Sequence, residues 1–357
     1  MKNSQYWQDR FIAVEKIRNR QAKHTIDSVT PAFDHAMSQM DKEINSWYSR
    51  YAKNNQISLV EAKRQLNNRE LEELRWDVEE YIKYGRENAI NHKWMKQLEN
   101  ASARYHISRL EALKIRTQQA AEVAFGKELD TLDQMISDTY TDAYQHTAYE
   151  IQRGVGIGWD IGQIDKNRLT KIMSKPWTAD GFTFSDRIWK SKTQLIDSVH
   201  KELTQMCILG GKPDDAIKHI AHQMQVSKSQ AGRLVMTESA YFGSKAQQEC
   251  FKSLDVEEYE IVATLDLHTS EICQDMDGKH FKMTDFQPGV TAPPFHPWCR
   301  SVTCPYFNDE FTQDETRAAR GEDGKEYQIP GSMTYKDWKD CFIDHKKNPS
   351  DFLKIKK

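Results

Sequence analysis

Apolar residues in the first part of the chain are spaced as on one face of a helix. Residues 1–153 are rich in Glu, Lys, Gln and Ala and contain little Pro or Gly, a composition that favours helices. Apolar side chains recur there at intervals of three and four, at Leu71, Leu74, Val78 and Ile82. Such a stripe on a charged helix needs an apolar partner. We therefore predict that it packs on a neighbouring helix.

Two segments of this part carry the same helix-start pattern. Ser58 and Ser108 each follow an isoleucine and precede a glutamate by three residues, as in a capping box with a hydrophobic staple. Two similar starts without a third copy indicate an antiparallel helical hairpin and not a repeat array. We predict an extended helical arm over residues 1–153.

Helical spacing continues in the middle of the chain. Residues 186–207 place apolar side chains on one face and end before Gly210, which suits a helix C-terminus. Pro213 suits the first position of the next helix. A further capping box, from Ser227 to Gln230, predicts another helix start. This part is predicted to be a helical bundle.

The hydrophobic period changes after residue 258. Residues 259–265, YEIVATL, are apolar and β-branched, which is typical of a buried strand. Asp277-Gly278 is a tight-turn signal flanked by Met276 and Phe281, so we predict a small hairpin around it.

A proline-rich loop, PPFHPWCR, occupies residues 293–300. Its three prolines exclude a helix or a central strand and stiffen the backbone. We interpret the loop as a structural corner that packs Trp298 inward and fixes His296, Cys299 and Arg300.

The predicted fold class is α+β, mainly α: an N-terminal helical arm and a helical bundle, followed by a small hairpin-and-loop module. GVGIG at 154–158 lacks the strand and the lysine of a phosphate loop, and we interpret it as a hinge. The predicted domains are therefore 1–153, 154–308 and a polar C-terminal tail with a short helix, 309–357.

Composition excludes some classes of protein. The chain has 357 residues and a formal net charge of −3, so the overall charge does not indicate a nucleic-acid or membrane partner. The sequence has no signal-peptide pattern and no run of about 20 apolar residues. We expect a cytoplasmic protein without a membrane anchor. In that compartment the six cysteines are expected to be reduced thiols or metal ligands.

Four soft side chains lie near the proline loop. His296 and Cys299 have the spacing of a zinc-ligand pair, and four such ligands would form a closed structural site. In the alternative interpretation the cysteines are small buried hydrophobic residues, His296 makes a local hydrogen bond, and Arg300 pairs with Asp266 or Asp277. The candidate zinc ligands are Cys273, His296, Cys299 and Cys304.

An enzymatic interpretation uses acidic residues of the same region. Carboxylates could hold a cation and a histidine could act as base in a metal-dependent nuclease. Such short constellations need structural context, and we predict that the chain is not an enzyme. Arg233 and Glu238, five residues apart on one helix, point to different faces, and we predict structural salt bridges from them to other elements. The nuclease set would be Asp266, His268, Asp277 and His296.

Two segments resemble the signature of the Mu F-like head morphogenesis family, the minor head proteins of tailed bacteriophages: ATLDLHTSEICQDMDGKHF (263–281) and PGVTAPPFHPWCRS (288–301). Upstream, RLVMTESA (233–240) resembles the helix of that family that carries an arginine and a Thr-Glu pair. YWQDR (6–10) is similar to the start of members from phages of Gram-positive hosts.

The resemblance implies a structural and assembly role. It predicts a few-copy procapsid component that associates with the portal protein and other capsid proteins and contacts packaged or ejecting DNA without sequence preference. The protein would assemble in the bacterial host cytoplasm and remain inside the virion. The alternative is a free DNA-binding or metal-dependent nuclease module.

The resemblance also assigns motif positions. Many members have Cys-x-x-Cys and Cys-Arg-Cys where this chain has serine at 270 and 301, so two cysteines of that pattern are absent here and Cys304 lies outside it. The motif positions are Arg233, Thr237, Glu238, Asp266, Thr269, Asp277, Gly278, Pro294, His296, Pro297, Cys299 and Arg300.

Overall fold

Long helices form most of the described chain. The structure, a computed structural model, describes residues 4–51, 59–87, 96, 107–155, 164, 166–209, 211–307, 316–320, 326–330, 337, 340–341 and 346. The helices are α1 (Ser4–Tyr51), α2 (Leu59–Lys63), α3 (Asn68–Glu87), α4 (Arg109–Val155), α5 (Lys166–Met173), α6 (Phe184–Leu209), α7 (Pro213–Ser253) and α8 (Glu271–Met276).

A small antiparallel sheet follows α7. Its strands are β1 (Glu258–Val262), β2 (His280–Lys282) and β3 (Val302–Tyr306), in the order β2-β1-β3. Tyr259 of the central strand pairs with Phe281 on one side and Pro305 on the other. Two later strands, β4 (Thr316–Arg320) and β5 (Glu326–Pro330), form a separate antiparallel pair. The predicted mainly helical α+β fold is confirmed.

The chain divides into two compact units. The first unit comprises Met1–Thr25, Asp133–Gly181 and Arg233–Lys357, and the second comprises Ile26–Leu132 and Phe182–Gly232. The predicted domains, with boundaries near residues 153 and 308, are continuous in sequence, whereas each unit combines separate segments. These boundaries stay a prediction.

The core of the first unit joins its helices to the sheet. β1 is buried along almost its whole length: Tyr259, Ile261 and Val262 are apolar, and the buried Glu260 accepts hydrogen bonds from Ser4 Oγ and Gln8 Nε2. Aromatic contacts connect the elements: Phe11 lies 5.6 Å from Phe251, centroid to centroid, and Tyr259 lies 4.8 Å from Phe286. The core includes Trp7, Phe11, Ile151, Phe251, Val256, Tyr259, Ile261, Val262 and Val302.

The second unit contains the predicted apolar stripe. Leu71, Leu74, Val78 and Ile82 of α3 are buried in one cluster with Ile107 and Ala112 at the start of α4. The stripe therefore packs on a neighbouring helix, as predicted.

The capping box at the start of α4 is also confirmed. The backbone N–H of Ser108 donates to Glu111 Oε2 at 2.9 Å, and that of Glu111 donates to Ser108 Oγ at 3.2 Å. Ser58, in the other predicted box, lies outside the described residues. An analogous pair that we did not predict starts α3, where Asn67 and Glu70 exchange the same two bonds.

The predicted antiparallel hairpin is wrong for α3, the helix that carries the apolar stripe, and the start of α4. Arg109 contacts Glu70 at 3.4 Å, and Arg116, seven residues further along α4, contacts Asp77, seven residues further along α3, at 2.7 Å. The pairs advance in the same direction along both helices, so α3 and the start of α4 run parallel. Backbone bonds between residues 64–66 and 107–109 place the two starts side by side.

The end of α6 agrees with the sequence. Its buried face includes Ile188, Leu195 and Val199, and the backbone N–H of Gly211 donates to the carbonyl oxygen of Met206 at 2.8 Å. This bond satisfies a carbonyl that the helix end would leave unpaired. Pro213 then opens α7.

Other local predictions were wrong. Ser227 does not start a helix, because α7 runs through it and the Ser227 hydroxyl donates to the carbonyl oxygen of Gln223 within that helix. Met276 ends α8 and is not part of a strand, although Gly278 does form a turn with a φ of 75°. The β4–β5 pair lies in the predicted polar tail and was not predicted.

Residues 156–158 of the predicted hinge lie outside the described residues. Its first glycine, Gly154, lies in α4, where the helix backbone comes close to a core tryptophan. A Cβ atom at Gly154 would lie 2.2 Å from Cη2 of the fully buried Trp7. Gly154→Ala is therefore expected to lower the free energy of unfolding by about 1–3 kcal/mol, the usual range for overpacking. At Gly211 an added Cβ would lie 3.6 Å from its nearest neighbour, so Gly211→Ala serves as the control in denaturant unfolding. Equal midpoints for both variants would contradict the close packing.

None of the described helices combines the length and the apolar run needed to cross a membrane.

Candidate metal centre

Helix α8 positions the first candidate ligand. Ser270 caps this helix, and its hydroxyl accepts a hydrogen bond from the backbone N–H of Cys273 at 3.4 Å. A serine in this position is a usual helix start. The cap fixes Cys273 in the first turn, where its side chain is buried.

The proline loop positions the other two candidates. Pro293 and Pro294 are buried and joined by a cis peptide bond. A turn then follows, in which the backbone N–H of Cys299 donates to the carbonyl oxygen of His296 at 3.2 Å. Cys299 is fully buried, while His296 is partly buried.

The inward packing predicted for Trp298 is wrong. Its side chain is 46 % exposed and its backbone has a φ of 65°. A non-glycine residue in this left-handed region is uncommon. The turn directs Cys299, and not Trp298, into the interior.

Cys273, His296 and Cys299 converge on one point. The two sulfur atoms are 3.8 Å apart, and Cys273 Sγ lies 3.2 Å from His296 Nε2. All three potential ligand atoms lie within 4.8 Å of one another. Each of the six cysteines is a free thiol, so the cluster is not part of a disulfide.

Hydrogen bonding polarises this cluster. The hydrogen bond from Cys273 lowers the pKa of the Cys299 thiol well below its usual range, although burial opposes this. The same bond, together with burial, raises the pKa of Cys273. The hydrogen bond to Cys299 raises the pKa of His296, again against the effect of burial. Negative charge therefore collects on Cys299.

Cys304, the fourth candidate, lies elsewhere. It is on β3 opposite Glu260 and is buried in the core of the first unit with Tyr259 and Val302. It does not belong to the group of three whose ligand atoms converge. The structure thus brings together three of the four candidate ligands.

Arg300 and Asp266 link two loops next to the cluster. Arg300 Nη2 donates to Asp266 Oδ1 at 2.7 Å, and Nη1 donates to the other carboxylate oxygen. Such two-pronged pairs fix geometry as well as charge. Burial alone would raise the pKa of Asp266, but the bonds and charge of Arg300 outweigh it and lower that pKa. Of the two partners considered for Arg300, the structure selects Asp266.

The remaining motif residues of this module tie its turns together. The Thr269 hydroxyl donates to the carbonyl oxygen of Thr264 and accepts from the backbone N–H of Asp266 at 3.2 Å. Asp277 Oδ1 accepts from the backbone N–H of Ala263 at 2.9 Å, and the N–H of Gly278 donates to the carbonyl oxygen of Ile261 at 2.8 Å. These bonds connect both turns to β1 and the residues that follow it.

The upstream motif residues lie on α7. Glu238 is buried and accepts a hydrogen bond from Trp177 Nε1 at 3.0 Å, and the Trp177 ring stacks on Tyr241 at 4.4 Å. Glu238 therefore contacts another part of the chain through a hydrogen bond, and the predicted salt bridge stays a prediction. Arg233 is exposed, and the Thr237 hydroxyl donates to its carbonyl oxygen at 2.7 Å.

Sequence reasoning missed a carboxylate of α1 near the cluster. Glu15 is buried, and burial raises its pKa to about 7 even though Arg18 opposes the shift; the charge of Cys299 adds to it. Helical spacing could have located Glu15, because it follows the buried Trp7 and Phe11 by eight and four residues.

The nuclease set does not assemble as a metal site among the described residues. Asp266 binds Arg300, and Asp277 accepts a backbone hydrogen bond. His268 is exposed, and His296 faces Cys273. The described His, Cys, Asp and Glu side chains that could share one ion are Cys273, His296 and Cys299.

Comparison with known proteins identifies the module that holds these residues. Residues 197–304 match the family model described as Phage Mu protein F like protein. No curated protein and no solved structure matches the chain. The matched segment contains the α7 motif, the three converging ligands and the Arg300–Asp266 pair. Residues 197–304 are therefore similar to the Mu F-like family of phage head morphogenesis proteins.

Proposed function

We propose that this protein is a minor head protein, a structural component that joins the procapsid through contacts with the portal protein. The observation that carries the proposal is the match of residues 197–304 to the Mu F-like family. The protein would act by binding and not by turnover, inside the virion after assembly in the host cytoplasm.

Exposed apolar side chains beside the cluster support a binding role. Leu267, Ile272 and Trp298 are large hydrophobic residues with exposed side chains. Each is the chain neighbour of a fixed residue, namely Asp266, Cys273 and Cys299. Rigid, exposed aromatic and aliphatic side chains are typical anchors of protein interfaces. We assign the portal contact to these three residues.

Co-purification tests the proposal. When the protein is co-expressed with the portal and coat proteins of the same phage, it is expected to sediment with procapsids and to be captured by tagged portal protein. The triple variant Leu267→Ser, Ile272→Ser, Trp298→Ser is expected to lose most of this capture, because hot-spot residues carry most of the binding energy.

A matched control uses apolar residues exposed in the other unit. Ile208 and Leu209 are exposed at the end of α6, so Ile208→Ser, Leu209→Ser removes a similar surface and is expected to keep the capture. Folding of both variants is checked by circular dichroism. If folded wild-type protein stays out of procapsids and instead binds or cuts DNA on its own, the minor head role is refuted and the free DNA-binding or nuclease module is favoured.

A further inference from the structure

We propose that Cys273, His296 and Cys299 bind one zinc ion. Two sulfur atoms at 2.3 Å from a tetrahedral zinc ion are about 3.8 Å apart, and a sulfur and a nitrogen are about 3.5 Å apart. The observed separations are 3.8 Å between the sulfur atoms and 3.2 Å from Cys273 Sγ to His296 Nε2. Two of the three ligand–ligand separations are therefore close to those of a zinc tetrahedron, and the third, between Cys299 and His296, is at most 4.8 Å.

The orientation of His296 supports a ligand role. Its Nδ1 lies 2.7 Å from the carbonyl oxygen of Pro297. A carbonyl oxygen can only accept, so Nδ1 carries the proton and donates it. In the neutral imidazole, which is the form that binds a metal ion, the Nε2 atom that faces Cys273 then carries the lone pair. Histidine ligands of metal ions are usually oriented by such a bond from the other ring nitrogen.

The surroundings suit two bound thiolates. Backbone N–H groups of Phe295 and Ser301 donate to the Cys299 sulfur. Donors of this kind stabilise a thiolate. The Arg300 guanidinium interacts with both cysteines while it is held by Asp266. A divalent cation would balance the two negative sulfur atoms in this buried position.

The ligand set selects the metal. Soft thiolates together with imidazole favour zinc over the hard cations magnesium and calcium. A disulfide is the competing state of two adjacent cysteines, but its sulfur atoms must lie about 2.05 Å apart, far closer than the observed 3.8 Å. The cysteine pair therefore has the separation of metal ligands and not that of a disulfide.

A fourth ligand is needed for tetrahedral coordination. The hydroxyls of Ser270 and Ser301 both hydrogen-bond to Cys273, so either oxygen, or a water molecule held by them, could take this position. Oxygen is a weaker zinc ligand here than a third thiolate would be. Ser301→Cys should complete a closed site.

Metal analysis of the full-length protein tests the proposal. Wild-type protein, purified with reduced thiols and incubated with zinc, is expected to retain about one equivalent after gel filtration. Cobalt in place of zinc is expected to give the near-ultraviolet sulfur-to-cobalt charge-transfer band and the visible bands of a tetrahedral ion. Neither measurement needs the portal protein. A failure of the zinc proposal can therefore be distinguished from a failure of the proposed minor head role.

Variants locate the ion. Cys273→Ser and His296→Ala are expected to lose the retained zinc, whereas Cys304→Ser removes an equally buried cysteine outside the cluster and is expected to keep it. Ser301→Cys is expected to bind zinc more tightly than wild type in competition with a chromophoric chelator. Because this variant gains affinity, it remains informative if the ligand variants fail to fold.

Three results would overturn the proposal. The first is wild-type protein that retains no stoichiometric zinc. The second is retained zinc that Cys304→Ser removes as fully as Cys273→Ser does. The third is a mass shift showing that Cys273 and Cys299 form a disulfide in protein isolated from reducing cells.

Discussion

Leu74→Asp is expected to unfold the contact between α3 and the start of α4. Leu74 is 2 % exposed and lies in the cluster formed by Leu71, Val78 and Ile107. The substitution removes a buried side chain, which typically costs about 2–5 kcal/mol for leucine to alanine, and adds an unpaired charge in an apolar site. We expect the free energy of unfolding of this unit to fall by at least that amount. The measurement is denaturant unfolding followed by circular dichroism.

Trp76→Asp is the matched control on the same helix. Trp76 is 66 % exposed, so replacing this larger apolar residue with the same charged residue is expected to change the free energy of unfolding by no more than about 0.5 kcal/mol. An unchanged transition in Leu74→Asp, or an equal loss in both variants, would show that the buried stripe does not stabilise the arm.

Local rules were sufficient to predict the apolar stripe of α3 and the start of α4. The stripe of α3 and the capping box of Ser108 and Glu111 depend on spacings of three and four residues along one helix, and the structure contains both. The Asp277-Gly278 turn was likewise visible, because Gly278 needs the left-handed conformation that glycine adopts readily.

Contacts between distant segments were not predictable in the same way. The parallel packing of α3 and α4 depends on Arg109 and Arg116 finding carboxylates on another helix. Two similar helix starts fit either direction of packing. A capping box describes a helix end but does not specify its neighbour, which is why the antiparallel arrangement was wrong.

The sequence predicted which types of residue form the candidate site, but not which of the cysteines converge there. Cys299 and Cys304 are both fully buried and only five residues apart, so sequence distance and hydrophobicity do not separate them. The turn at Trp298 directs Cys299 toward Cys273, while β3 carries Cys304 into the core opposite Glu260. The stiff loop was visible from its prolines, but the left-handed turn at a tryptophan was not.

Glu128 is a buried carboxylate that helical spacing could have located. It follows the buried Phe125 by three residues and precedes the buried Leu132 by four, on the same face of α4. No described group lies within hydrogen-bond distance of Glu128 Oε2. Burial raises the pKa of Glu128 to about 8, so the charged form destabilises the folded chain.

The sign of the resulting pH dependence follows from that pKa. Between the usual value of 4.5 and about 8, folded Glu128 keeps its proton while the unfolded chain releases it. The folded state then binds more protons, so stability falls as pH rises through this window. The stability that folded, protonated Glu128 contributes is fully present at pH 4 and is lost above about pH 8.

Glu128→Gln is expected to remove this loss, because glutamine resembles the protonated carboxyl and does not ionise. The variant should match wild type near pH 4 and exceed its free energy of unfolding by several kcal/mol near pH 8, at about 1.4 kcal/mol per pKa unit. The measurement is denaturant unfolding of both proteins across this range. Titrations of Glu15, His200 and Cys299 occur in both proteins, so the difference between the two curves isolates Glu128.

Glu79→Gln makes the same chemical change at an exposed position of α3 in the same unit and is expected to leave the pH profile close to that of wild type. The decisive quantity is the stability difference between Glu128→Gln and wild type, which must grow as pH rises from 5 to 8. A difference that stays constant with pH, or one that Glu79→Gln reproduces, would mean that burial does not raise the pKa of Glu128 in the folded chain. That result would contradict the buried environment described for Glu128, because only a hydrogen-bonding partner or water could stabilise its charged form so well.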